Sequence, residues 1–350
     1  MAKKLMKGNE AIAEAAIQAG CRFFFGYPIT PQNQIPEYMA RRMPQVNGCF
    51  LQAESEVAAI NMCYGAAGAG ARVMTSSSSP GISLKQEGIS YIAGAELPVV
   101  IVNIVRGGPG LGSIQAAQGD YFQATKGGGH GDYKVLTLAP GSVQEAADMV
   151  HLAFDLADEY RMPCMILGDG MIGQMMEPVE FKEFDVKSFD KPWATTGKYG
   201  DDRTVVNSLY IETEALEALN LRLQANYKII EEKETRFEEY MTEDAEVILT
   251  AYGTVSRICK SAVAQARSEG LKVGMIRPIT VWPFPYKAFE EAANRESVKK
   301  FVCVEMNAGQ MVEDVRLGVN GKKPVELVAR VGSVIPTPQE IVDVIKGGVK

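Results

Sequence analysis

Four stretches of the chain place polar or charged groups directly after apolar runs. Thr30 follows "FFFGYP" and stands between Pro28 and Pro31 in "YPITP". Glu54 and Glu56 follow "CFLQA", and "TSSSSPG", Thr75 to Gly81, follows "RVM". Arg106 ends "VVIVNIV" and opens "RGGPGLG". A guanidinium forks onto a carboxylate or phosphate, and the glycines after it let backbone approach an anionic ligand. Glu56 adjoins the small-residue run "VAAINMCYGAAGAGA", which suits a tightly packed neighbour, and a buried carboxylate needs a specific partner. The serine run offers hydroxyls and N–H groups to an anion. Each also has a plainer reading. Thr30 caps the next helix, Glu56 complements a helix dipole, and the serines form a polar turn. The glycine-rich loop is no Walker loop, and no GxGxxG opens a helix after the first strand.

The elements that must position these groups alternate helix and strand. "NEAIAEAAIQAG" predicts a helix with Asn9 as N-cap and Gly20 as its stop. "CRFFFGYP" predicts a strand and its exit, and "TPQNQIPEYMARRM" a helix with Thr30 capping and Pro31 in the first turn. The run "LPVVIVNIVRG" is apolar throughout, as a central parallel strand covered on both faces must be. The layout is α/β, a doubly wound parallel sheet. In such sheets ligands bind beyond the carboxyl ends of the strands, so the four exits could share one pocket rim. Residues 1–178 form this first domain, and 179–244 a polar, turn-rich linker plus a bridging helix read through "ETEALEALNLRLQANYKIIEEKETRFEEYMTED". Residues 245–350 form a second, smaller α/β domain, with "KVGMIRPITVWP", "KFVCVEMN" and "VELVARVG" as strands.

Composition narrows the classes. The hydrophobic fraction is 46%, the charged fraction 23% and the net charge −7. That supports a soluble globule and argues against nucleic acid or anionic membranes as partners. Cys21, Cys49, Cys63, Cys164, Cys259 and Cys303 form no CxxC pair, and His130 and His151 are the only histidines. A metal site built by this chain is not expected. Free thiols in a reducing compartment are. The longest apolar run is short of the roughly 20 residues of a membrane helix, and the N-terminus has no signal-peptide core; a cytoplasmic protein is expected.

The stretches "GNEAIAEAAIQAGCRFFFGYPITP", "ESEVAAI", "SSSSPGISLKQE" and "RGGPGLGSIQAAQGDYFQA" together resemble the α subunit of 2-oxoacid:ferredoxin oxidoreductases, over essentially the whole chain. Within that family the type acting on 3-methyl-2-oxobutanoate (2-ketoisovalerate) is the nearer, and the 2-oxoglutarate type follows. The resemblance implies a thiamine diphosphate pyrimidine-side domain in the first part and a transketolase C-terminal-like domain in the last. It implies oxidative decarboxylation of a 2-oxoacid to the acyl-CoA, with electrons passed to ferredoxin. Glu56, the second glutamate of "ESE", matches the glutamate that bonds N1′ of the cofactor's aminopyrimidine. Arg106 matches the arginine for the substrate carboxylate. Thr30, with Tyr27 and Pro28 of the same motif, matches the stretch near the cofactor's reactive end and the substrate. The diphosphate, Mg2+ and a 4Fe-4S cluster are implied to sit on partners: a β subunit, with γ and ferredoxin-like subunits beside it. Coenzyme A and ferredoxin are the further partners, and a homodimer contact is allowed. "GDG" at Gly168–Gly170 agrees with this division: the asparagine that completes a magnesium-diphosphate motif is missing from the window through "KPWATTGKYGDD", leaving a strand-end turn. Two other readings compete, a non-catalytic scaffold and a free-standing nucleotide-binding enzyme; cofactor dependence separates them.

Overall fold

The apolar run Val99–Val105 is the middle strand of a seven-stranded sheet, and its side chains divide between two cores. Val100, Val102 and Ile104 join one, and Val99, Ile101 and Val105 join the other. Strand side chains alternate faces, so a strand buried on both reads as a near-continuous apolar run; Asn103 is the exception, buried and donating to Asp120 at 2.8 Å.

The computed structural model describes residues 3–182, 185–197 and 203–347. The chain begins with β1 (Lys4–Lys7), α1 (Gly8–Gln18), β2 (Phe23–Gly26), α2 (Gln34–Arg42), β3 (Cys49–Gln52), α3 (Glu56–Gly68), β4 (Val73–Ser77) and α4 (Ser79–Gly94). It continues with β5 (Val99–Val105), α5 (Tyr121–Thr125), β6 (Leu136–Leu138), α6 (Val143–Tyr160), β7 (Pro163–Asp169), α7 (Gly170–Gln174) and β8 (Met176–Val179). After α8 (Thr213–Lys233) come β9 (Phe237–Tyr240), β10 (Val247–Thr250), α9 (Gly253–Ser268), β11 (Val273–Pro278) and β12 (Thr280–Trp282). The last elements are α10 (Tyr286–Asn294), β13 (Lys300–Glu305), α11 (Met311–Val319), β14 (Val325–Ala329) and α12 (Pro338–Ile345).

The large sheet has the order β12-β6-β7-β5-β4-β2-β3, parallel except for β12. The second sheet has the order β14-β13-β10-β11-β9, parallel except for β9. A short ribbon of β1 and β8 completes the strands. This is the α/β architecture expected, with helices on both faces of the large sheet. The carboxyl ends of β2, β3, β4 and β5 share one edge, as parallel pairing requires.

Several local expectations give way. Asn9 does not cap α1; it is the second residue of the helix, is fully buried, and its amide reaches Pro31 and Gln34. Thr30 does not cap α2, which begins four residues later with Asn33 at its cap position. The long helix ends at Lys233, and "FEEY" becomes β9, an edge strand antiparallel to β11. Glu238 of this strand pairs with Arg277 on β11 and with Lys260 on α9. Finally, "KVGMIRPITVWP" is two strands: β11 stays in the second sheet, while β12 crosses over and pairs with β6 of the first. Pro278 has no N–H with which to carry the ladder on.

Candidate active site

Thr30 and Arg106 are brought into direct contact at the sheet edge. The Arg106 Nη1 donates to the Thr30 carbonyl at 2.9 Å, and Nη2 to the Leu111 carbonyl at 3.0 Å. The guanidinium thus ties the "YPITP" turn to the glycine-rich loop. Its Nε is buried and has no partner. Arg106 is 9% exposed, and the Nε of Arg277, an arginine held by Glu145 and Glu238, is idle in the same way. The turn is fixed from its other side as well: Asn9 and the Gln174 amide both donate to the Pro31 carbonyl at 2.8 Å. Asn33 donates to the Thr30 hydroxyl at 3.2 Å, so that hydroxyl's own proton is left to give. Tyr27 lends its carbonyl to Gln32, a fully buried residue whose own amide oxygen accepts from Ser76. Pro28 is exposed.

The two glutamates of "ESE" part company. Glu54 is exposed, whereas Glu56 opens α3 and is 6% exposed. Ser55 caps the helix by accepting from the Ala58 N–H at 3.2 Å. The Glu56 carboxylate lies over the first turn of α4. A Cβ added at Gly81 would stand 2.6 Å from Glu56 Oε1 and 2.1 Å from Ser77 Oγ, so this close approach requires glycine. No hydrogen bond joins the Glu56 carboxylate to the described residues, and its oxygens are not among the buried atoms left unpaired; the hydroxyls of Ser77 and Ser78 are. Ser79, the next residue, bridges to Arg106 through the backbone: its hydroxyl accepts from the Arg106 N–H at 3.1 Å. The serine run is therefore the seam between Glu56 and the Thr30–Arg106 pair.

Sequence reasoning missed three contributors. Lys85 is wholly buried on α4 beneath Glu56, with its ammonium donating to Thr75 at 2.7 Å. Asp120 of "QGDYFQA" accepts from Asn103 at 2.8 Å; burial raises its pKa, and its hydrogen bonds to Asn103 and Ser79 draw it partly back. Gln32 sits between the turn and Ser76. The one available signal was for Lys85, which follows Gly81 by four residues and precedes Gly88 by three, on a single helix face. Asp169 of "GDG" is a turn acid: its carboxylate accepts from the Met171 and Ile172 N–H groups. Burial pushes its pKa up, and the two backbone N–H groups oppose the rise.

A cleft of about 590 Å³ opens beside Thr30 and Pro31, with Ile114, Met171 and Ile335 on its walls. Glu56 and Arg106 do not line it. Among the described residues no group of three or more His, Cys, Asp or Glu is placed to hold a metal. No helix there is long and apolar enough to cross a membrane.

Comparisons with known proteins agree with this layout. Residues 14–242 match the family model described as pyruvate flavodoxin/ferredoxin oxidoreductase, thiamine diphosphate-binding. Residues 245–341 match pyruvate:ferredoxin oxidoreductase core domain II. The ketoisovalerate oxidoreductase subunit VorB of Methanothermobacter marburgensis is 52% identical over 95% of this chain and 94% of its own. The 2-oxoglutarate synthase subunit KorA of that organism is 38% identical over 98% of each chain. A solved 2-oxoglutarate:ferredoxin oxidoreductase from Magnetococcus marinus, with 2-oxoglutarate, coenzyme A and succinyl-CoA bound, superposes with a TM-score of 0.86 at 26% identity. That match covers 99% of this chain, which spans 65% of the Magnetococcus one. A split-gene transketolase shares the fold at a TM-score of 0.63 and 13% identity. The chain belongs to the pyruvate flavodoxin/ferredoxin oxidoreductase family, whose members are thiamine diphosphate-binding oxidoreductases.

Proposed function

We propose that this chain is the α subunit of a thiamine diphosphate-dependent 2-oxoacid:ferredoxin oxidoreductase acting on 3-methyl-2-oxobutanoate, with coenzyme A taking the acyl group. The observation that carries the reading is the meeting of Glu56, 6% exposed at a helix start, with Ser77 over Gly81, where the buried hydroxyls of Ser77 and Ser78 have no partner. A self-sufficient fold satisfies such groups. An aminopyrimidine ring offers the donors and acceptors they lack, so the residues present fit the cofactor.

When bound, thiamine diphosphate supplies the carbon nucleophile and the electron sink for decarboxylation. Glu56 holds a proton at N1′ of the aminopyrimidine. Arg106 keeps its Nε N–H and the second N–H of each terminal nitrogen for the substrate carboxylate, which a planar fork binds in one orientation. The Thr30 hydroxyl, already accepting from Asn33, donates toward the substrate. Tyr27 and Pro28 shape the turn that carries it. The diphosphate, Mg2+ and the 4Fe-4S cluster fall to the β subunit and its partners, and the electrons pass onward to ferredoxin. The free cysteines, five of them buried, suit a cytoplasmic enzyme.

Co-purified with its β partner, the chain is expected to reduce methyl viologen faster with 3-methyl-2-oxobutanoate than with 2-oxoglutarate or pyruvate, and only with thiamine diphosphate and coenzyme A present. A preference for 2-oxoglutarate would replace the substrate and keep the mechanism. No reduction with any acid, by an intact and cluster-loaded complex, would leave only a scaffold role.

A further inference from the structure

We propose that Lys85 is a positioning residue for Glu56: its ammonium is the counter-charge that fixes the carboxylate over the first turn of α4. The two helices face each other with matched spacing. Glu56, Ile60 and Cys63 line one face of α3, and Gly81, Lys85 and Gly88 line one face of α4. A Cβ at Gly88 would stand 2.4 Å from Ile60 Cγ2, just as one at Gly81 would meet Glu56. The two glycines draw the helices together, and Lys85 is enclosed between them at 0% exposure.

An enclosed ammonium is costly unless paired. Its one hydrogen bond is to Thr75, whose hydroxyl donates onward to the Phe25 carbonyl at 2.6 Å. That is a single neutral acceptor for three donors and a full charge. The ionisable groups that act on Lys85 are Cys63 and Glu56, both on α3. Burial pushes the Cys63 thiol up to about 12, so it is neutral at physiological pH. Glu56 is then the negative charge that acts on Lys85; no direct ion pair joins them, so it acts across the packed face of the two helices. Burial also brings the lysine down to about 8, opposed by Cys63 and Glu56, so mild alkali strips the ammonium of its proton.

The inference rests on the role of Glu56 at N1′ proposed above, but its first test needs no cofactor. The lysine side-chain carbon resonances of the full chain are titrated by NMR, with Lys85 assigned by its loss in Lys85→Met. In Glu56→Gln the Lys85 midpoint is expected to fall by about one pH unit or more, since a nearby opposite charge is removed. An unchanged midpoint overturns the pairing, whatever the cofactor assignment. In the assembled complex Lys85→Met is expected to lower kcat roughly ten- to a hundredfold, as for a displaced catalytic group, with the 2-oxoacid KM unchanged. It also removes a basic limb near pH 8 from the kcat profile. Wild-type kcat with a wild-type pH profile in Lys85→Met would overturn the positioning role.

Discussion

Glu305 and Glu56 are both buried glutamates at a strand-to-helix junction, one beside each sheet. Glu305 ends β13 and accepts from the Met311 N–H at 2.8 Å, the Val312 N–H at 2.9 Å, the Gln310 N–H and the Asn307 amide at 2.9 Å. Asn307 in turn donates to the Gln118 carbonyl, and the Gln118 amide oxygen accepts from the Met306 N–H. This acid is used up in starting α11 and in fastening the two halves of the chain. Glu56 has no such donors among the described residues, and the hydroxyls around it are idle as well. Two carboxylates of similar burial therefore separate by their partners: one is spent on the fold, and the other is the group assigned above to the cofactor.

The sharpest way to break this contrast is to remove each charge in turn. In the complex, Glu56→Gln is expected to cost at least about a hundredfold in turnover, with assembly intact. Glu305→Gln is expected to cost on the order of 3 kcal/mol of stability by denaturant unfolding, with turnover kept in the molecules that remain folded. Full activity in the first, or an inactive but stable second, would reverse the assignment. Arg106→Ala is expected to raise the 2-oxoacid KM and lower kcat/KM roughly a hundredfold; unchanged substrate dependence would remove Arg106 from the site. Gly81→Ala puts a methyl group into the space of the Glu56 carboxylate and the Ser77 hydroxyl. A fall of about tenfold in kcat is expected, read against Gly318→Ala on α11 beside the second sheet, whose added Cβ would meet Phe289 Cβ at 2.9 Å.

The smallest effect is a pH dependence of stability. Lys85 sits at about 8 in the folded chain, against 10.5 for an ordinary lysine. Between these values the unfolded chain binds the extra proton, so stability rises with pH. The penalty of burying the charge is complete below pH 8 and relieved by about 10.5. The stability of the wild type relative to Lys85→Met is therefore expected to climb across that window in thermal melts. A flat difference would mean that Lys85 does not titrate there.

Much of the layout was legible in the sequence because burial leaves a simple trace. A strand covered on both faces is apolar almost throughout, and Val99–Val105 is, with Asn103 the one exception; the strand-exit rule then selected the stretches that hold Thr30, Glu56, Ser77 and Arg106. What escaped depends on contacts between distant segments. A lone lysine in "SLKQE" reads as a solvated helix position, and its burial follows only from the glycines on either side of it. Asn9 reads as a cap until the Pro31 carbonyl is seen in front of it. "RFEEY" reads as more helix until Arg277 and Lys260 are found opposite its acids.

The crossover at β12 has a consequence for how this chain can be divided. Thr280 and Trp282 belong by sequence to the later segment, yet they zip onto Thr137 and Leu138 of the earlier one. A polypeptide cut where the two family models meet, between residues 242 and 245, would leave β6 with a bare row of N–H and C=O groups, an invitation to pair with a stranger. The two segments share a sheet, and a cut between them breaks it.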